Sequence, residues 1–139
     1  HNTAASLFAI DRGDRSASIT LAGGPTTLEA ACVDAWSQLA GGEAASVLLV
    51  YADTPLPDLY REWIGGITHP FALALLLRSA AAGEAGSQLS LTWRKRATGA
   101  APPTGSILDV LRLILSPAGV VAVDDGRLVW QWCKCPADA

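Results

Sequence analysis

Two short, unbroken apolar runs constrain this chain most: Val47-Leu48-Leu49-Val50-Tyr51 and Phe71-Ala72-Leu73-Ala74-Leu75-Leu76-Leu77. Neither alternates with polar residues, as expected of strands covered on both faces. Both fall well short of the ~20 apolar residues that a membrane-spanning helix needs, and Arg78 closes the longer one. Strands covered on both faces are usually parallel and joined through helices, so the first part of the chain is expected to hold a parallel sheet. Helix is the competing reading of the second run, because Leu and Ala dominate it.

Helical spacing precedes the first run. Leu28, Cys32, Ala35, Trp36 and Leu39 recur at three- and four-residue steps, which predicts one buried face. Thr26 with Glu29 three residues on predicts a capping box, and Gly41-Gly42 a stop. Ahead of this helix, the β-prone run at 18–21 leads into Ala22-Gly23-Gly24-Pro25, giving a strand, a glycine turn and a helix in succession. Residues 58–64 are expected to form a short surface helix, with Leu59 and Trp63 facing the same way. Residues 80–87 and 97–104 are small, glycine-punctuated or proline-containing, and predict loops.

The last third is patterned differently. Leu89, Leu91 and Trp93 alternate with Ser90, Thr92 and Arg94, which predicts a half-exposed antiparallel strand over 88–94. Residues 106–116 predict a helix apolar almost all round, with Asp109 and Arg112 as its polar stripe and cover needed on most sides. The segments 120–123 and 128–132 flank Asp124-Asp125-Gly126, a strong hairpin signal, because Asp-Gly supplies the positive φ such turns require. The sum is a single α/β domain over 1–139 with a mixed sheet, parallel first and antiparallel towards the end.

Charge and composition narrow the function. Ten Lys and Arg stand against thirteen Asp and Glu, for a net −3, without the basic footprint of a nucleic-acid binder. Asp11, Arg12, Asp14 and Arg15 interrupt any apolar leader, so a soluble, cytoplasmic chain without membrane insertion is expected. The chain starts at His1 and has no Met, so its translational start is expected to lie elsewhere. Three cysteines at irregular spacing (Cys32, Cys133, Cys135) do not form a disulfide framework.

Residues that could carry chemistry are sparse. Cys133-Lys134-Cys135 offers two thiolates where a closed zinc site needs four, so neither a metal nor a cofactor is expected. Cys32 falls beside Leu28 and Trp36 on the inner helix face, placed for burial rather than attack. Asp11, Asp14, Asp34, Asp53, Asp58 and Glu62 are scattered and solvate the surface. Gly23-Gly24 at a helix start has free N–H groups for an anion, but lacks the Lys-Ser/Thr of a phosphate loop. Arg94-Lys95-Arg96 is a basic cluster, either a solvated strand end or a surface for an acidic partner. Trp130 and Trp132 share a strand face with Leu128, which predicts a covered face or a partner surface.

Five motifs follow one order: His1-Asn2-Thr3-Ala4-Ala5, Arg12-Gly13-Asp14-Arg15-Ser16-Ala17-Ser18, Leu21-Ala22-Gly23-Gly24, Val47 onwards to Asp53, and His69-Pro70-Phe71 onwards to Leu77. That order resembles the short ketoacyl-synthase-like proteins of the thiolase-like superfamily that carry only an N-terminal synthase domain. Such proteins occur beside bacterial aryl polyene and xanthomonadin-type pigment clusters, and resemble chain-length factors. The likeness is good over 1–80 and thins out beyond. It implies a thiolase-like fold lacking its first strands, with the nucleophile elbow of a condensing enzyme at Gly24, or at Gly23 if the turn is one residue longer. Neither glycine can attack a thioester, and Cys32 lies about two helical turns further on. The resemblance places a histidine pair in a C-terminal half that this chain lacks, and His69 matches neither histidine. It therefore implies no catalytic residue. It points to a non-catalytic subunit that pairs with a catalytic ketoacyl synthase and meets acyl carrier protein indirectly. In that picture Ser16, Ala17, Ser18, Ile19, Thr20 and Leu21 form a dimer edge, and a homodimer is possible. A stand-alone acyltransferase or hydrolase would instead need Ser18, Thr20, Thr26 or Thr27 as nucleophile with His69 as base. An interaction module would use the Trp-rich hairpin.

Overall fold

The computed structural model describes residues 3–61, 69–79, 87–99 and 105–134. Helix α1 spans Thr3–Arg12, α2 Thr27–Ala40 and α3 Asp58–Arg61. Strand β1 is Ser46–Asp53, β2 Phe71–Arg78 and β3 Leu89–Lys95. Helix α4 is Ile107–Leu115, and β4 (Gly119–Asp124) and β5 (Leu128–Lys134) close the order. The rest of the helix expected over 58–64, most of the two predicted loops, and Cys135 lie outside the described residues.

The expected parallel sheet is not formed. β1 and β2 make a two-stranded ribbon, β3, β5 and β4 make a three-stranded sheet in that order, and every pairing among the described residues is antiparallel. The ribbon is also covered on one face only. Val47, Leu49, Tyr51, Leu73, Leu75 and Leu77 point inward, while Leu48, Val50 and Leu76 on the opposite face are exposed. Register sets Leu48 opposite Leu76 and Val50 opposite Ala74, so the outer face is a continuous apolar strip. An apolar residue pointing outward hides the two-residue alternation that marks a one-sided strand, which is why the run resembled a doubly covered one.

Leu28 of α2, Leu49 of β1, Val110 and Leu113 of α4, Val123 of β4 and Trp132 of β5 form one buried cluster. Both sheets therefore share a core with α2 and α4. α4 is covered on one side, not on most: Val110 and Leu113 are buried, whereas Leu115 on the other side is 85% exposed. Its start is tied by Asp109, whose carboxylate accepts from the Ser106 N–H at 2.9 Å and the Ser106 hydroxyl at 2.7 Å. Its end is tied by the Lys134 ammonium, which donates to the Ile114 carbonyl, a cation at a helix C-terminus.

Three further local expectations change. The run at 18–21 forms no strand; residues 13–23 are exposed and irregular. Asp14 Oδ1 accepts from the Ser16 N–H at 2.8 Å, a local turn that competes with strand pairing. Trp36 is 68% exposed, because the buried stripe of α2 runs through Leu28, Ala31, Cys32 and Ala35 and leaves it outside. Helix α1, which was not expected, has no buried residue and exposes Leu7, Phe8 and Ile10.

Candidate functional site at the glycine turn

The path from residue 23 into α2 is built by backbone conformation. Gly24 adopts φ +63°, the left-handed region that glycine enters freely, and opens a single 3-10 turn over Gly24–Thr26 before α2 begins. The Thr27 hydroxyl staples this turn: it accepts from the Gly23 N–H at 2.9 Å and donates to the Gly24 carbonyl at 2.8 Å. A Cβ added at Gly24 would have nothing within 4 Å, so open space surrounds the position and only its φ resists a side chain.

The predicted capping box does not close here. Thr26 occupies the cap position with φ −114° and ψ 32°, off the extended backbone from which a cap side chain reaches the helix N–H groups. Thr26 and Glu29 turn instead towards the β4–β5 hairpin. The Thr26 hydroxyl reaches Asp125 Oδ2 at 3.5 Å, and Glu29 Oε1 accepts from the indole N–H of Trp132 at 2.9 Å. Asp125 also accepts from the Trp130 indole at 3.2 Å and from the N–H groups of Arg127 and Leu128 at 2.8 and 2.7 Å. The start of α2 is thus bolted to the hairpin by two contacts, Thr26 to Asp125 and Trp132 to Glu29, while the Trp130 indole braces Asp125 from within the hairpin.

Burial sets the electrostatics of this junction. Glu29 is 2% exposed, and loss of solvation raises its carboxyl above the ordinary value of 4.5, opposed by the Trp132 hydrogen bond and aided by the Asp125 charge. The same burial, with the Glu29 charge nearby, pushes the Cys32 thiol up to about 12. A thiol in that state stays protonated at neutral pH, and nucleophilic attack requires the thiolate. Of the four residues considered as substitute nucleophiles, Thr26 is buried and Thr27 holds the turn, while Ser18 and Thr20 lie in the exposed segment before it. His69 sits exposed just before β2. Near it, Asp53, Pro70 and Phe71 help line an open cleft of about 500 Å³.

Residues 1–133 match the family model described as beta-ketoacyl synthase, N-terminal domain. The chain belongs to that family. No curated protein and no solved structure matched it. The mixed α/β order is consistent with a ketoacyl-synthase N-terminal domain, and the match extends into the last strand of the hairpin. Among the described residues of this synthase domain no group of three or more His, Cys, Asp or Glu could hold a metal ion, and no helix is long and apolar enough to cross a membrane. Glu29, Asp125, Trp130 and Trp132 escaped the sequence reading as a unit. The contacts that join α2 to the hairpin span 99 and 103 residues, and no local spacing signals them.

Proposed function

We propose that this ketoacyl-synthase N-terminal domain acts as a chain-length-factor-like subunit that performs no condensation itself and supports a Cys-bearing partner synthase. One observation carries the reading. The turn that opens α2 offers bare glycine backbone at Gly23 and Gly24, while the cysteine of that helix is half-buried against the core, its thiol pushed up to about 12, and about two turns away. An acyl transfer needs a nucleophile, a base and an oxyanion site together, and a turn of this kind supplies at most backbone N–H groups. The apolar outer strip of the β1–β2 ribbon supports a role as one part of an assembly, because strips of this kind mark surfaces that a partner covers. In the same reading the exposed segment at 16–21 lies along a dimer contact, and the glycine turn borders the space in which a growing polyene or fatty-acyl chain rests.

Gly24 supplies the test. Co-expression with a candidate synthase should yield a complex that survives purification. Gly24→Trp should shorten the product, because the bulk enters open space at the turn. Gly24→Asn, which tolerates the same φ and adds little volume, should leave product length unchanged. A chain that purifies alone, or equal product lengths from all three proteins, would sink the reading.

A further inference from the structure

One end of the three-stranded sheet carries a feature that the glycine turn does not use. β3 runs into Arg94-Lys95-Arg96; Lys95 lies opposite Leu128, and the Arg96 N–H donates to the Arg127 carbonyl at 3.0 Å. Four cations therefore meet at this end. Arg96 pairs with Asp124 at 3.2 Å, and Asp125 is occupied by the hairpin and the Trp130 indole. Arg94, Lys95 and Arg127 form no ion pair among the described residues, and all three are exposed. The cluster leaves a local positive surplus in a chain whose net charge is −3. A cleft of about 420 Å³ opens between Lys95, Arg96, Asp125 and Arg127.

An aromatic anchor stands beside it. Trp93 shares the strand face of Lys95 and is 53% exposed. Its ring lies 5.3 Å from that of Trp130, which is itself buried and held by Asp125, so the exposed indole rests on a fixed base. A tryptophan flanked by cations is the composition of protein-interface hot spots. Strand alternation sends Arg94 to the face opposite Lys95. Since β3 is an edge of its sheet, the cations spread around that edge instead of converging on one point. That spread suits an extended acidic stretch better than a single phosphate.

We propose that this sheet end is a docking surface for an acidic segment of a partner protein, with Trp93 as its apolar anchor and Arg94, Lys95 and Arg127 as its steering charges. The net negative charge elsewhere would turn the chain so that this end leads the encounter. The proposal requires neither an acyl ligand nor the glycine turn, so it can fail while the synthase-subunit reading survives, and the reverse.

Fluorescently labelled poly-L-glutamate is the probe, titrated against the full chain and followed by anisotropy. Binding should weaken by about tenfold or more between about 20 and about 200 mM salt. Lys95→Glu with Arg127→Glu should abolish binding, and the milder Lys95→Gln with Arg127→Gln should reduce it in a chain whose circular dichroism is unchanged. Arg12→Glu with Arg15→Glu, the same charge change far along the sequence, should leave affinity within about twofold, a margin set by screening. Trp93→Ala should weaken binding without altering its salt dependence. Absence of binding at the lower salt, or equal loss in the Arg12 and Arg15 variant, would overturn the proposal. Displacement of the polymer by inorganic pyrophosphate at matched charge would overturn it too, by making the cleft a small-anion site.

Discussion

The chemistry of single residues here is set by what solvent cannot reach. Cys32 lies on the inward stripe of α2, and its thiol is pushed up to about 12 from the ordinary 9.0. At any pH below the ordinary value, its thiolate fraction is lowered about a thousandfold. Iodoacetamide at pH 8 should therefore leave Cys32 unmodified in the folded chain under conditions that alkylate it fully after denaturation. Peptide mass mapping of the two samples checks this. Rapid labelling of folded Cys32 would show an accessible, ionisable thiol and remove the main support for a non-catalytic subunit. The cysteine's position on the helix was legible from three- and four-residue spacing. Trp36 was placed wrongly by the same rule, because periodicity identifies a stripe but not how far around the helix its cover extends: Ala35 next to it is buried.

At the level of elements, the joint between α2 and the β4–β5 hairpin determines how the fold responds to pH. Glu29 is an acid whose carboxyl is raised in the folded chain, so the folded state holds its proton to higher pH than the unfolded state does. Below the ordinary value of 4.5 both states are protonated and the group is neutral to stability. As pH rises from there towards the raised folded value, the unfolded chain binds fewer protons and stability falls. Glu29→Gln keeps an acceptor for the Trp132 indole and removes the charge, so it should flatten the decline above 4.5 and raise the melting temperature at neutral pH. Glu29→Ala should instead cost about 1–3 kcal/mol, because the buried indole N–H loses its acceptor. Denaturant titrations of both variants at several pH values separate these outcomes. A decline equally steep in Glu29→Gln would place the titrating group elsewhere. The hairpin itself was plain in Asp124-Asp125-Gly126, where Gly126 takes φ +87° and the Asp124 side chain accepts its N–H at 2.6 Å. What the hairpin touches was not plain, since tertiary hydrogen bonds took both members of the expected capping box.

Taken as a molecule, the chain shows which kinds of information a sequence holds locally. Strands β1, β2, β3 and the last pair stood out as apolar runs or alternation, and α2 and α4 as periodicity. Strand direction did not, because an antiparallel ribbon with an apolar outer face and a doubly covered parallel strand share one composition. The turn at Gly23 and Gly24 was visible as two glycines before a helix, but not the absence of a strand leading into it, which depends on pairing partners and on the Asp14 turn. The outer strip of the β1–β2 ribbon has a consequence of its own. With Leu48, Val50 and Leu76 facing water, the uncomplexed chain keeps hydrocarbon hydrated at all times, and that contact grows less favourable with heat. Purified alone, the protein should clump on warming and disperse again in the cold.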